Sequence, residues 1–264
     1  MSQGAAREWD AASYHRVSGP QAAWGRRLLA RLFVRGDERV IDAGCGTGRL
    51  TRELMGMLPR GRLIAIDRSW NMLLTARANL RPDFGPRISY VRVDLPMMPF
   101  GPWADLVFST ATFHWVRDHP RLFAEIWRSL RPAGRLFAQC GGGPNLVEAH
   151  RLADQVMRAE PFAAHFEDWS DVWEFSTAEL AADRLRAAGF IDVAATLEPA
   201  ATTLADEASY REFVTTVIYN PHLERLPTGP LRTRFIDEVT RLAAAQDPPF
   251  TLDYWRLNLE ARRP

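Results

Sequence analysis

Apolar residues in the first half of the chain alternate between short continuous runs and stretches with helical spacing. The short runs predict β-strands, because they are short and end at polar residues or glycine. Between them, apolar positions recur every three or four residues, as at Leu50, Leu54 and Leu58, which predicts amphipathic helices. This alternation predicts an α/β fold with a parallel sheet. The five predicted strands begin at Val40, Arg62, Ile88, Ala104 and Arg135.

The pattern changes after residue 141, where glycines and a proline interrupt it. Residues 145–175 are partly helical in spacing and crowded with aromatic rings, which fits either a lid over the sheet edge or ordinary helix packing. Residues 1–35 predict a flexible arm followed by a helix. Because the chain contains no clear linker and no internal repeat, we expect a single domain over residues 1–264.

A second set of elements is predicted beyond residue 175. The capping-box pattern Ser176–Glu179 begins a helix that ends at Gly189. Apolar and polar residues then alternate in two separate segments, which predicts two further strands. The remaining predicted elements are strands at 191–197 and 252–261 and helices at about 205–219 and 230–246.

A glycine-rich loop with the pattern Asp42-x-Gly44-x-Gly46-x-Gly48 joins the first predicted strand to a helix. Glycines let a backbone approach a ligand closely, and the N-terminus of the helix favours polar ligand atoms. A dinucleotide site needs a small residue at position 49, where this chain has arginine. A P-loop is excluded because the chain has no lysine. The loop is therefore either another kind of ligand site or a glycine turn without a ligand.

Polar side chains follow four of the predicted strands at the points where the strands end. The carboxyl ends of parallel strands meet at one edge of a sheet, so Asp42, Asp67, Asp94 and Ser109 should converge there. Asp67 follows the glycine loop by about 20 residues, where α/β nucleoside sites place the carboxylate that binds ribose hydroxyls. We therefore expect this edge of the sheet to bind a nucleoside.

Composition narrows the class of partner. The formal net charge is +1, with 33 basic and 32 acidic residues and no basic block, so nucleic-acid binding lacks its usual electrostatic signature. The absence of lysine excludes Schiff-base chemistry through that residue. Cys45 and Cys140 lack metal-ligand spacing. No apolar stretch approaches the roughly 20 residues of a membrane span and no signal region is visible, so we expect a cytoplasmic protein.

Taken together, these motifs resemble those of the class I S-adenosylmethionine (SAM) methyltransferases. The resemblance is good over residues 36–140 and looser elsewhere, and it extends to the trans-aconitate and juvenile hormone acid methyltransferases. It implies a Rossmann-like fold with a seven-stranded, mostly parallel sheet, an antiparallel last strand, and helical insertions at 141–175 and 199–250 that form a lid. The motifs that carry it are DAGCGTG at 42–48, DRSWNML at 67–73, VDL at 93–95, STATFHWV at 109–116 and LRPAG at 130–134.

The resemblance also implies which residues bind SAM. Gly44 and Gly46 would line its amino-acid part, with Asp42 ordering the loop. Asp67 would hold the ribose hydroxyls, and Asp94 would accept the adenine amino group. The other expected contacts are Met72 and Leu95 on the adenine ring, Arg68 beside the ribose, Ser109 at the end of the fourth strand, and Tyr14 and Arg16 of the N-terminal arm over the SAM carboxylate.

His114 is the best-placed candidate for a catalytic base in the sequence. An alcohol acceptor would need a base near neutral pH, whereas a carboxylate would not. His114 is equally compatible with substrate contact or with packing. Arg211 and Arg225, in the region where these relatives bind substrate, are an arginine pair that could grip an acid or simply face solvent. The other expected substrate contacts are Trp115, Trp169, Trp173, Tyr219 and His222.

The function implied is SAM-dependent methylation of a small molecule at a carboxylate or hydroxyl. Two alternatives stay open: a methyltransferase that acts on RNA or protein, and a SAM-binding protein without catalytic activity. The expected partner is a small-molecule substrate, with no nucleic acid and no membrane, and the protein is either a monomer or a homodimer.

Overall fold

The computed structural model describes residues 8–264, and a single mixed sheet of seven strands forms its centre. The strand order is β3-β2-β1-β4-β5-β9-β6, and β9 alone runs antiparallel to the other six strands. This arrangement confirms the expected seven-stranded sheet with an antiparallel last strand. The strands are β1 Arg39–Ala43, β2 Arg62–Asp67, β3 Ile88–Arg92, β4 Ala104–Thr110, β5 Leu130–Gly141, β6 Ile191–Pro199 and β9 Trp255–Arg262, with β7 Thr202–Thr203 and β8 Thr251–Leu252 forming a separate pair.

Helices cover both faces of the sheet because successive residues of a strand point to opposite faces. In β4, Leu106 and Phe108 pack beneath α2, α3 and α4, whereas Val107 packs beneath α5 and α7. All three side chains are fully buried. The helices are α1 Ala11–Val17, α2 Gly19–Arg31, α3 Arg49–Gly56, α4 Trp70–Phe84, α5 His119–Ser129, α6 Val147–Met157, α7 Ala178–Ala187, α8 Glu207–Phe213, α9 Asn220–Arg225 and α10 Gly229–Ala244.

Helices α6, α8, α9 and α10 form a helical layer with a hydrophobic core of its own. Phe235 lies at its centre, and the rings of Phe162 and Phe166 pack against it at centroid distances of 5.6 and 5.9 Å. Ordinary packing thus accounts for two of the rings that crowd residues 145–175. Within residues 8–264, no helix combines the length and the apolar character that a membrane crossing requires.

The N-terminal segment differs from the predicted flexible arm. Residues Ala11–Val17 form α1, because the Asp10 carboxylate accepts hydrogen bonds from the free N–H groups of Ala12 and Ser13 at the start of the helix, both at 3.1 Å. Tyr14 and Arg16 therefore lie on a helix. A second helix, α2, follows directly and has Pro20 in its first turn.

Three further boundaries differ from the sequence prediction. The strand β5 begins at Leu130 rather than Arg135, because Leu130 pairs with Ala104 across the predicted turn. Thr177 rather than Ser176 caps α7. Where one helix was predicted at about 205–219, the chain forms α8 and a π-helical turn, and α9 follows at Asn220–Arg225.

Candidate active site

The three glycines of the loop after β1 have positive φ angles, and they serve two different purposes. A Cβ atom on Gly44 (φ +84°) would lie 2.1 Å from Thr112 Oγ1, and one on Gly48 (φ +81°) would lie 2.7 Å from Leu80 Cδ1. A Cβ atom on Gly46 (φ +54°) would meet nothing within 4 Å. Gly44 and Gly48 thus permit close packing inside the protein, whereas Gly46 leaves an open approach to the backbone.

Asp67 ties this loop to the end of β2. One carboxylate oxygen accepts a hydrogen bond from the Gly46 N–H at 3.0 Å, and the other accepts one from the Ser69 N–H at 2.9 Å. Burial raises the pKa of Asp67, and these two hydrogen bonds oppose the rise. Each oxygen keeps a lone pair for a ligand, so the carboxylate can accept two more hydrogen bonds.

Asp42 is buried beneath the same loop. Its carboxylate accepts a hydrogen bond from the Thr51 hydroxyl at 2.6 Å, which links the end of β1 to the first turn of α3. Burial, reinforced by the charge of Asp67, raises the pKa of Asp42 to about 7. Asp42 borders a small hollow next to the loop, lined also by Gln21 and Arg49.

A cavity of about 1080 Å³ opens at the carboxyl ends of the strands, between α1 and the helical layer. This volume includes space that is open to solvent. Most of the predicted site residues line it. They are Tyr14, Gly44, Gly46, Asp67, Arg68, Met72, Asp94, Leu95, His114, Trp115 and Trp173.

Arg16 and Ser109 were expected beside SAM, but they do not line this cavity. The Arg16 guanidinium is exposed and pairs with Glu212 at 2.7 Å. The Ser109 hydroxyl is buried and donates to the Ala43 carbonyl at 2.6 Å, so it joins β4 to β1 inside the sheet.

Three predicted substrate contacts, Trp169, Tyr219 and His222, lie instead in the core of the helical layer or against it. The buried Tyr219 hydroxyl donates to the Ala149 carbonyl at 2.8 Å, and the ring of His222 is 4.5 Å from that of Trp169. Sequence reasoning could not separate these rings from cavity-lining ones, because aromatic residues serve both purposes.

The arginine pair considered for acid recognition is used elsewhere. Arg211 forms an ion pair with Asp237 at 2.6 Å, and Arg225 forms one with Asp168 at 2.9 Å. Both pairs are partly exposed, and neither arginine lines the cavity.

His114 lines the cavity at the end of β4, and its ring is fixed by the backbone of β5. The Gly141 N–H donates to His114 Nδ1 at 3.2 Å, so the neutral ring carries its proton on Nε2. Burial, together with the nearby charge of Arg256, lowers the pKa of His114 well below its ordinary value. His114 is therefore arranged as a neutral hydrogen-bond donor, which disfavours the expected role as a base.

Sequence reasoning missed three polar groups of the cavity wall. Arg256 Nε, the Tyr254 hydroxyl and Gln21 Oε1 are all buried without a hydrogen-bond partner within residues 8–264. The Arg256 guanidinium carbon lies 4.6 Å from the centroid of the Trp24 ring, a cation–π contact. Arg68 Nε, on the β2 side, is a fourth such atom of the cavity wall. Buried polar groups in proteins are normally paired, so four unpaired ones around one cavity indicate a polar ligand.

The cavity has two chemically different sides. On the β2 side, the carboxylates of Asp67 and Asp94 and the apolar side chains of Met72 and Leu95 line the wall. Such a set provides acceptors for hydroxyl and amino hydrogens and an apolar surface for a ring, as adenosine requires. With the open backbone at Gly46, the residues present fit SAM.

Comparison with known proteins agrees with this site. Residues 41–138 match the family model described as a methyltransferase domain. The trans-aconitate 2-methyltransferase of Methylobacterium nodulans is 33% identical over 198 residues, which cover 75% of this chain and 70% of the relative. The enzyme of the same name from Methylobacterium radiotolerans is 29% identical over 254 residues, covering 92% and 91%. Other relatives with this name match over about half of their length.

Solved structures show the same fold at lower identity. Phosphoethanolamine N-methyltransferase 2 of Haemonchus contortus in complex with S-adenosyl-L-methionine superposes with a TM-score of 0.62 at 18% identity, covering 96% of this chain and 56% of that one. A putative methyltransferase of Bacillus halodurans superposes with a TM-score of 0.63 at 16% identity, covering 92% and 99%. The chain therefore belongs to the class I SAM-dependent methyltransferases, in the family that includes the trans-aconitate 2-methyltransferases.

Proposed function

We propose that the protein methylates a carboxylate oxygen of a small organic acid. The proposal depends on one side of the cavity, called the β9 side, where none of the described residues is suited to take a proton. This side of the cavity lies beside β5 and β9 and includes His114, Trp173, Tyr254 and Arg256. A carboxylate is already ionised at neutral pH, so it needs no base, whereas an alcohol or an ammonium group does.

The candidate bases fail for separate reasons. His114 Nδ1 already accepts the Gly141 N–H, and the low pKa of the ring opposes protonation. Burial raises the pKa of Tyr14 to about 12 and raises that of Tyr254 as well, so both phenols stay neutral. The only carboxylates of the described cavity wall, Asp67 and Asp94, follow β2 and β3 on the opposite side.

Bound SAM supplies a methyl group on a positively charged sulfur. The chain contributes orientation and exclusion of water, since methyl transfer needs in-line alignment and little covalent chemistry from the protein. Trp115 and Trp173, with ring centroids 5.6 Å apart, form part of an apolar wall. When the carboxylate anion of the acceptor attacks the sulfonium cation of SAM, both charges are partly neutralised in the transition state. An apolar wall therefore favours the reaction. His114 Nε2–H is available to hold the carboxylate oxygen that is not methylated.

The test is a comparison of matched acceptors. Carboxylic acids are incubated with SAM and protein beside alcohols and amines of the same carbon skeleton, and the products are identified by mass and by their lability to mild base. We expect methyl esters from the acids alone. Methylation of the alcohols or amines at similar rates refutes the proposal, as does transfer only to RNA or protein. Binding of SAM without transfer to any acceptor refutes it in favour of a non-catalytic role.

A variant of His114 separates its two possible roles. His114→Gln keeps an N–H donor but removes the imidazole. Under the proposal, kcat falls by no more than about tenfold, because no proton is transferred. If His114 were the base, kcat would fall by about 10²–10⁴.

A further inference from the structure

We propose that Arg256 selects the acceptor and that the acceptor is a monocarboxylic acid with an apolar body. This inference rests on the proposed function and deepens it. It starts from a guanidinium that is 2% exposed, lines the cavity and forms no ion pair or hydrogen bond with the described residues.

Arg256 lies in a part of the sheet where the described residues offer it no hydrogen-bond or ion-pair partner. In β9 it lies between Gly141 of β5 and Glu198 of β6, in a strand that has a neighbour on each side. Glu198 is exposed and makes no ion pair with it within 4.0 Å. The face of Trp24 provides the one described contact for the charge, and an aromatic face offers no hydrogen-bond acceptor comparable with a carboxylate.

A buried, unpaired charge is unfavourable unless a counter-charge arrives. A carboxylate fits this arginine, since the guanidinium presents several N–H donors in a plane that matches two carboxylate oxygens. The unpaired hydroxyl of Tyr254 offers a further donor on the same side of the cavity. Arg256 and Tyr254 are thus two independent unsatisfied groups that one carboxylate would satisfy.

The number of cations limits the number of carboxylates. Among the described residues that line the cavity, only Arg68 and Arg256 are cationic. Arg68 follows β2, which is four strand positions from β9, or about 19 Å at roughly 4.8 Å per strand. The β9 side therefore holds one cation.

The rest of the β9 side favours an apolar body. Leu146, Trp173, Phe175, Val217 and Ile218 are apolar residues of the cavity wall, and the polar Asn145 accepts the Trp255 N–H of β9 at 2.8 Å. A second or third carboxylate on the acceptor would be buried against these side chains without a counter-charge, which is costly. Trans-aconitate, a tricarboxylic acid, is therefore a poor fit to this cavity, although it appears in the names of the relatives.

The reaction balances without a proton. The carboxylate oxygen attacks the methyl carbon, the oxygen–carbon bond forms, and the electron pair of the breaking carbon–sulfur bond returns to sulfur. The ester is neutral, so it loses its ion pair with Arg256. The product should consequently bind more weakly than the acid.

Direct binding and turnover are measured with octanoate, phenylacetate and trans-aconitate. Protein saturated with S-adenosylhomocysteine is titrated with each acid by calorimetry, so that binding is measured without catalysis. We expect the monocarboxylates to bind about 100-fold more tightly than trans-aconitate and than their own methyl esters, as charge-assisted hydrogen bonds imply. Equal or tighter binding of trans-aconitate overturns the inference. Monocarboxylates that bind as predicted but are not methylated overturn only the proposed function.

Variants of β9 test the residue itself. Arg256→Gln should weaken monocarboxylate binding by about 100-fold and leave SAM affinity unchanged. The matched control is Arg262→Gln on the same strand, where the arginine is partly exposed and pairs with Asp192 at 2.7 Å; it should change neither affinity. A loss of SAM affinity in Arg256→Gln would assign the arginine to the SAM carboxylate and overturn the inference.

The melting temperature of a third variant distinguishes a binding role of Arg256 from a structural role. Arg256→Met keeps the side-chain length and removes the buried charge, so the ligand-free variant should melt at a higher temperature than the parent protein while failing to bind the acids. A lower melting temperature would show that the folded protein itself needs the charge. A lower melting temperature together with unchanged affinity for the acids would refute a role in acceptor binding.

Discussion

Replacing Gly44 by alanine tests whether the loop after β1 needs glycine for packing as well as for its φ angle. The new Cβ atom would lie 2.1 Å from Thr112 Oγ1, 2.3 Å from Thr112 Cγ2 and 2.7 Å from Thr112 Cβ. Overpacking of this kind costs about 1–3 kcal/mol. A left-handed backbone conformation adds about 1–2 kcal/mol for a residue with a Cβ atom. We therefore expect the free energy of unfolding to fall by about 2–5 kcal/mol.

Gly46→Ala is the matched control. Its φ angle is also positive, but its Cβ atom would meet nothing within 4 Å, so only the backbone cost of about 1–2 kcal/mol applies. Urea denaturation of the two variants, extrapolated linearly to water, gives the comparison.

A double variant identifies the source of the difference. In Gly44→Ala/Thr112→Gly all three clashing atoms are gone, so the double-mutant cycle should recover about 1–3 kcal/mol relative to the sum of the single variants. Equal losses in Gly44→Ala and Gly46→Ala, or a cycle without coupling, would refute the packing argument.

Two further predictions concern the acidic residues of the site. The pKa of Asp42 is about 7 in the folded protein, against 3.8 for an ordinary aspartate. Between these two pH values the folded protein holds a proton on Asp42 that the unfolded protein has lost. The free energy of unfolding should therefore fall by about 4 kcal/mol as the pH rises from 4 to 8. Asp42→Asn should flatten this dependence in unfolding titrations and raise stability at pH 8; an unchanged slope would contradict the assignment. Asp67→Ala should abolish SAM binding measured by calorimetry, whereas His114→Ala should preserve it, and tight binding by Asp67→Ala would exclude Asp67 from the SAM site.

The β2 side of the site could be predicted from the sequence because its signals are local. An apolar run that ends in an acid defines both a strand and its carboxyl end, so Asp67 and Asp94 were placed at the cavity without knowledge of the fold. The glycine loop was recognisable for the same reason. Its glycine spacing lies within seven neighbouring residues, whereas its packing against Thr112 and Leu80 was visible only in the folded protein.

The β9 side could not be predicted in this way. The alternation of apolar and polar residues over 252–261 predicted a strand, and this pattern is typical of a strand with one face in solvent, where Arg256 would lie. In the folded protein β9 has β5 on one side and β6 on the other, and Arg256 and Asn258 are buried as well. A charged residue that is buried on a central strand indicates a ligand, but its burial can be recognised only when the strand order is known.

The aromatic residues show a related limit. Trp169 and Trp173 are four positions apart in one segment, yet Trp173 lines the cavity and Trp169 packs against the core of the helical layer. Composition predicts that such rings are buried. Which surface buries them depends on the helix positions, and the helix predicted at about 205–219 did not include α9.

The position of β9 in the sheet has a consequence for how the chain folds during its synthesis. During synthesis β1 to β5 emerge first, and β6 follows, yet β6 has no partner in the main sheet apart from β9. Contacts such as Arg135 with Arg262 join residues far apart in sequence, and pairings of this kind form slowly. Until β9 inserts, a nascent chain presents open strand edges on β5 and β6, the state in which sheets associate wrongly with other chains. Arg256 belongs to that same strand, so the pairing that joins β6 to the sheet also brings the charge to the cavity.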